Sequence, residues 1–148
     1  MCLICDRIKQ IRQGNNPYFV KEMETGYVVI GDHQHFFGYT LFLCKKHVVE
    51  LSDLDRDFRN RYLEEMADVT AAVQRAFPCG KMNCELLGNG DTHLHWHLFP
   101  RRAGDIGDYG NHGKGPVWWL PMEQMYDDSA RPDEQTLAEL KAKLEKEL

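Results

Sequence analysis

Apolar and polar residues alternate strictly through His93-Leu94-His95-Trp96-His97-Leu98-Phe99. A period of two is the strand period, so three imidazoles share one face and Leu94, Trp96 and Leu98 the other. Pro100, which has no N–H for a ladder, is expected to end this strand, and Gly88-Asn89-Gly90-Asp91 to turn the chain into it. Elsewhere the spacing is helical. Leu54, Phe58, Tyr62, Met66, Val69, Val73 and Phe77 form one continuous stripe, opened by a capping-box-like Ser52-x-x-Asp55 and closed by Phe77-Pro78-Cys79-Gly80. Ile4, Ile8 and Ile11 mark a shorter helix that Gly14-Asn15-Asn16-Pro17 stops. Leu137, Leu140, Leu144 and Leu148 mark a last one over residues 132–148, with acids early and lysines late. Residues 18–24 and 27–31 read as a hairpin around Thr25-Gly26, and residues 39–44 and 82–87 as further strands. Residues 103–116 hold five glycines and read as a loop. If the Val117-Trp118-Trp119-Leu120-Pro121 stretch is extended, its tryptophans point to opposite faces.

Helix, hairpin, strand, helix and two strands in that order give an α+β domain with a mainly antiparallel, five-stranded sheet. At 148 residues the chain makes one domain with a sizeable core. A formal net charge of −5 argues against general binding to nucleic acid or anionic membrane. It leaves room for a small polyphosphate, which needs only a local positive site. Charges begin at Asp6 and Arg7, no apolar run resembles a signal peptide or a membrane span, and five cysteines are few and odd in number. A cytoplasmic protein with reduced thiols is the expectation.

Three imidazoles on one strand face admit four readings. They are a polar surface strand, a three-histidine zinc site, a pocket that only binds, and nucleophilic catalysis with neighbours that orient and protonate. A third collinear ligand lies too far away to close a tetrahedron easily. The opening Cys2-x-x-Cys5 is, by itself, two easily buried residues at helical spacing.

The pattern His-x-His-x-His-x-x with every x apolar, filled here by Leu94, Trp96, Leu98 and Phe99, resembles the histidine triad (HIT) superfamily of nucleotide hydrolases and transferases. The ending Phe99-Pro100-Arg101 is similar to its dinucleoside polyphosphate hydrolase side. The resemblance covers about residues 1–102 and leaves 103–148 as a C-terminal helical extension. It implies a HIT-like fold with a long helix against the sheet, a homodimer, and a nucleoside-phosphate-X substrate such as a dinucleoside polyphosphate. By the same resemblance, His95 attacks the α-phosphorus to give a nucleotidyl-histidine that water cleaves. His97 bonds a phosphate or bridging oxygen and helps the leaving group depart, and His93 orients the site. Asp32 is placed to bond the ribose hydroxyls, Asn89 to bind phosphate, with Thr92 a further candidate. Cys2, Cys5, His47 and His93 correspond to a structural zinc site, a chemically sound mixture of thiolate and imidazole. The alternative for these four is ordinary packing.

One departure stands out. Many members carry Gly-His before the third strand, whereas this chain has Gly38-Tyr39. That puts substrate range and rate in question, with the Tyr39 hydroxyl or the loop residues His33 and His35 as substitutes. It keeps open a nucleotide-binding module without turnover; a three-histidine zinc hydrolase, which a chelator would inactivate, is the remaining alternative. For the tail, composition favours one tryptophan in the core and one under the last helix. The resemblance favours Trp118 or Trp119 near the His95 face of its own protomer or the neighbouring one.

Overall fold

The computed structural model describes residues 1–107 and 113–148. Helix α1 (Leu3–Arg12) buries Ile4, Ile8 and Ile11, and Gly14 at φ 73° lets the chain leave it. Strands β1 (Phe19–Glu22), β2 (Gly26–Ile30), β3 (Thr40–Cys44), β4 (Lys81–Glu85) and β5 (His95–Arg101) form one sheet in the order β1-β2-β3-β5-β4. Every pairing is antiparallel, as the α+β expectation requires.

One face of the sheet carries the main core. Helix α2 (Arg56–Ala76) sets Tyr62, Val69 and Val73 against Val28, Phe42 and Leu98, with Leu54 and Phe77 buried just beyond its ends. Helix α4 (Glu134–Glu147) packs on α2 and β1 and sends Leu140 and Leu144 into the same core. The extension therefore completes the hydrophobic core. Leu94 and Trp96 lie on this face, as the alternation predicts. The opposite face is covered at two separate places. Alpha-helix α1 packs on Tyr27, Val29 and Leu43. The segment 117–126, including the short helix α3 (Met122–Met125), packs on Phe36, Tyr39 and Phe99. His95 and His97 lie in the trough between them.

Four local expectations are corrected. The N-cap of α2 is Asp55, whose carboxylate accepts from Phe58 N at 3.0 Å; Ser52 lies in a preceding 3-10 turn capped by Glu50 and Asp53. Pro100 is inside β5, opposite Met82. The last β3 partner on β5 is Leu98, so beyond it β5 is paired on one side only and tolerates a residue with no N–H. His93 lies outside the strand, because its Nε2 takes the Cys44 carbonyl at 2.8 Å that a ladder amide would otherwise use. Residues Val117–Trp119 form a 3-10 turn, so the two tryptophans do not face apart as in a strand; both are partly exposed, and neither is buried beneath α4.

The sequence pattern gave no sign of one buried carboxylate. Glu65, 1% exposed on α2, accepts 2.8 Å hydrogen bonds from the amides of Glu24 and Thr25 and a third from the Thr25 hydroxyl. It thus satisfies the donors of the β1–β2 turn from across the core. Glu65→Ala should lower stability by about 3 kcal/mol in urea unfolding, since buried donors lose a charged acceptor. A loss below about 1 kcal/mol would show that water replaces it.

Candidate active site and metal cluster

A backbone carbonyl can only accept, so the ring nitrogen facing it must carry the proton. His95 Nδ1 lies 2.7 Å from the His93 carbonyl oxygen. Nδ1–H is therefore the donor, and in the neutral ring Nε2 keeps its lone pair. The same reasoning orients His93: its Nε2–H donates to Cys44 O at 2.8 Å, which turns the Nδ1 lone pair toward the cysteines.

His97 Nδ1 is 2.6 Å from the Tyr39 hydroxyl, and Tyr39 stacks on Phe99 with ring centroids 4.3 Å apart. Tyr39 is thus joined to the triad from the position where a fourth histidine was expected. Gly38, at φ 90°, makes the turn before it with no room for a Cβ beside Phe77. Burial holds the Tyr39 phenol well above its ordinary range, so it stays protonated. Burial, and then the adjacent His95, push His97 down to about 3. The unfolded chain, where histidine titrates near 6.5, takes up this proton first. Stability from His97 is therefore complete above pH 6.5 and falls as pH drops toward 3, by up to about 2 kcal/mol at pH 5. His97→Gln should flatten the difference in melting temperature between pH 7 and pH 5. An unchanged pH dependence would assign that loss to other groups.

Two cavities open on His95 and His97. The larger, about 490 Å3, is bounded by Leu87, Asn89, Asp91, Trp118, Met122 and Tyr126. The smaller, about 210 Å3, includes Ile4, Arg7, Asp32, His33 and Leu43. Asn89 borders the larger cavity and Asp32 the smaller, and Asp91 and Tyr126 border both, while Thr92 is exposed and borders neither. Asp32 accepts two bonds from Arg7, at 2.7 and 2.6 Å, with Arg131 at 3.9 Å. A carboxylate has four lone-pair sites, so two hydroxyls can still be accepted. His33 is half-buried with its ring edge-on to Tyr126, and burial lowers its pKa; His35 is exposed. Arg101 is spent on structure, bonding Asp105, Asn83 and the Gly115 carbonyl.

Trp118 borders the larger cavity within its own chain, and Trp119 borders neither. The Trp118 indole N–H donates to Glu85 at 2.8 Å, and its ring stands edge-on to Phe99 at 6.5 Å. Glu85 was not singled out from sequence. It lies directly opposite His97 across β4 and β5, which puts both side chains on one face, and only the register reveals that. Burial raises its pKa, and the Trp118 bond partly offsets this.

Cys2, Cys5, His47 and His93 converge, their ligand atoms all within 4.8 Å of one another. Cys5 Sγ is 3.1 Å from His47 Nδ1 and 3.4 Å from His93 Nδ1, and Cys2 Sγ is 3.6 Å from His93 Nδ1. Bonds of about 2.0 Å to nitrogen and 2.3 Å to sulfur give tetrahedron edges of roughly 3.3–3.8 Å, so the donor set fits a four-coordinate metal. Burial, and then the neighbouring Cys2, push the Cys5 thiol up, a crowding that a bound cation would relieve. Among the described residues this is the one group of that kind. The triad itself does not converge on a metal, because His93 faces the cysteines and the Nδ1 atoms of His95 and His97 are engaged elsewhere.

A family model describing the HIT domain matches residues 19–104. No curated protein matches the chain in sequence. Among solved structures, the chain is similar to a histidine triad (HIT) protein from Sinorhizobium meliloti 1021, with 19% identity, TM-score 0.73, and 95% of this chain and 94% of that one covered. A histidine triad protein from Marinobacter aquaeolei VT8 gives 24% identity and TM-score 0.71 over 88% and 87% of the two chains. A Zn-bound histidine triad family protein from Mycobacterium smegmatis gives 23% identity and TM-score 0.61 over 98% and 94%. At these identities the likeness is one of fold. No helix among the described residues is long and apolar enough to cross a membrane.

Proposed function

Because the chain belongs to the HIT domain family, we propose that it hydrolyses or transfers the nucleotidyl group of a nucleoside-phosphate-X substrate. The observation that carries this reading is the 2.7 Å bond from His95 Nδ1 to the His93 carbonyl, which leaves Nε2 as a fixed nucleophile beside two cavities. His95 Nε2 forms a bond to the α-phosphorus while the P–X bond breaks, its electron pair leaving with X. X takes a proton from water. A second water then cleaves the phosphorus–nitrogen bond, giving the nucleoside monophosphate and restoring His95. His97, held neutral, bonds a phosphate or bridging oxygen and is positioned by Tyr39. Asp32 bonds the ribose and Asn89 the phosphates; the exposed Thr92 stands aside.

In the same reading Cys2, Cys5, His47 and His93 hold a structural zinc ion, supported by their donor chemistry and spacing. The ion would tie the start of α1 to the segment before β5 and neutralise the thiolates. The chain is expected to act as a homodimer, which light scattering would test. Function is tested with adenosine and guanosine polyphosphates and phosphoramidates, following release of nucleoside monophosphate. Alkaline quenching and mass spectrometry should find a nucleotidyl adduct on His95. Binding without release would leave a nucleotide-binding module.

A further inference from the structure

A third cavity, of about 340 Å3, borders α1 without reaching His95 or His97. Lys9, Arg12, Lys45 and His47 line it, together with Cys5 and His93, and no carboxylate is among its described lining residues. Glu22 pairs with Lys45 at 2.6 Å and the Tyr27 hydroxyl accepts from Arg12 Nε at 3.3 Å, so the lining stays net positive on a chain whose formal charge is −5. This basic cavity opens on sulfur. Cys5 borders it, and both Cys5 and Cys2 are partly exposed. Cys2 is the extended N-cap of α1, and its Sγ accepts from Cys5 N at 3.3 Å, so it lies over the first turn. Residues three apart in a helix have Cβ atoms about 5–6 Å apart, and a disulfide needs about 3.5–4.5 Å. Rotation of the extended N-cap closes that gap, while Asp6 N keeps its bond to the Cys2 carbonyl at 3.1 Å. Of the other cysteines, Cys44 is buried, Cys79 lies against the Met82 sulfur at 3.5 Å, and Cys84 stands exposed beside the Thr70 hydroxyl.

We propose that Cys5, backed by Cys2, is a thiol–disulfide exchange site whose substrate is a small anionic disulfide drawn into the basic cavity. Cys5 Sγ attacks the disulfide, and the first small thiol leaves with the Cys5 proton. Cys2 Sγ then attacks Cys5 Sγ in the mixed disulfide, and the second small thiol leaves with the Cys2 proton. Two protein thiols are oxidised to one disulfide, and one small disulfide is reduced to two thiols. A metal ion held by the four residues would lose both sulfur donors in the exchange. The inference stands independently of the nucleotidyl-transfer reading.

The test incubates the full-length protein, as purified and after chelator treatment, with glutathione disulfide, which is anionic, or hydroxyethyl disulfide, which is uncharged. Samples are quenched by alkylation and mapped by mass spectrometry. The expected product is a chain lighter by two hydrogens, with the bond between Cys2 and Cys5. The anionic reagent should form it about tenfold or more faster, each rate taken relative to free cysteine, as a cleft of one charge sign allows. That advantage should shrink at about 0.5 M salt. Lys9 and Arg12 are exposed, so their replacement should leave folding undisturbed. Lys9→Glu combined with Arg12→Gln should abolish the advantage and leave the rate with the uncharged reagent unchanged. Cys84→Ser should alter neither rate. Where zinc is bound at the outset, its release should keep pace with disulfide formation. An adduct at Cys84 with no Cys2–Cys5 bond in folded, metal-free protein overturns the proposal. Equal reactivity toward the two reagents at low salt overturns it as well.

Discussion

Replacing His95 by alanine should lower single-turnover release of nucleoside monophosphate by about three orders of magnitude or more, since a covalent nucleophile has no substitute in the site. Affinity for the product nucleotide should stay within about threefold, a difference below 1 kcal/mol. The structural reason is the division of labour across β5. Leu94 and Leu98 carry packing on the α2 face, whereas His95 faces the trough and its loss opens space onto cavities that already exist. His97 cannot take over the attack from the same position, because its Nδ1 is bound to Tyr39 and its ring is displaced two residues along the strand. Turnover within about tenfold of the parent protein would rule out the covalent route.

Removing one thiolate from the cluster should act in the opposite sense, on stability first and chemistry second. The purified protein should contain about one zinc per chain, and Cys5→Ser should lose it. A stability loss of about 3 kcal/mol or more is expected, because metal-binding energy in such sites is folding energy. Activity in the surviving folded fraction should fall by less than tenfold. Cys2 also caps α1, accepting from Cys5 N at 3.3 Å, so the cluster and the helix start stand or fall together. Metal-free protein with an unchanged melting temperature would return the four residues to ordinary packing. Metal content and unfolding curves on the same preparations decide the matter.

What the sequence made legible was periodic or local. The fourfold spacing from Leu54 to Phe77 located the long helix, and the alternation from His93 onward put the imidazoles and Leu98 on opposite faces. Those signals depend only on backbone geometry, which repeats every few residues. What stayed hidden depends on partners distant along the chain. Glu65 looks like any helical glutamate until the β1–β2 turn is folded beneath it. Glu85 becomes part of the site only through its register opposite His97. Arg101 reads as a cation next to a triad, and the fold consumes it on Asp105 and the Gly115 carbonyl. Pro100 ends a strand by rule, yet one-sided pairing removes the cost that makes the rule. Which tryptophan comes near the triad has no periodic signal, because residues 117–119 form a 3-10 turn and only the folded tail sets Trp118 at the cavity it shares with His95 and His97.

His93 holds two places at once, and they differ in how exposed they are to mutation. Its imidazole serves the cysteine cluster and is lost with almost any change of codon. Its carbonyl holds the Nδ1–H of His95, and every amino acid has one. Descendants of such a chain could therefore shed the cysteine–histidine cluster by substitution at this position while inheriting the anchor of His95 unaltered, provided the backbone kept its path. The orientation of His95 is thereby insulated from drift at position 93, and the cluster is the more expendable of the two.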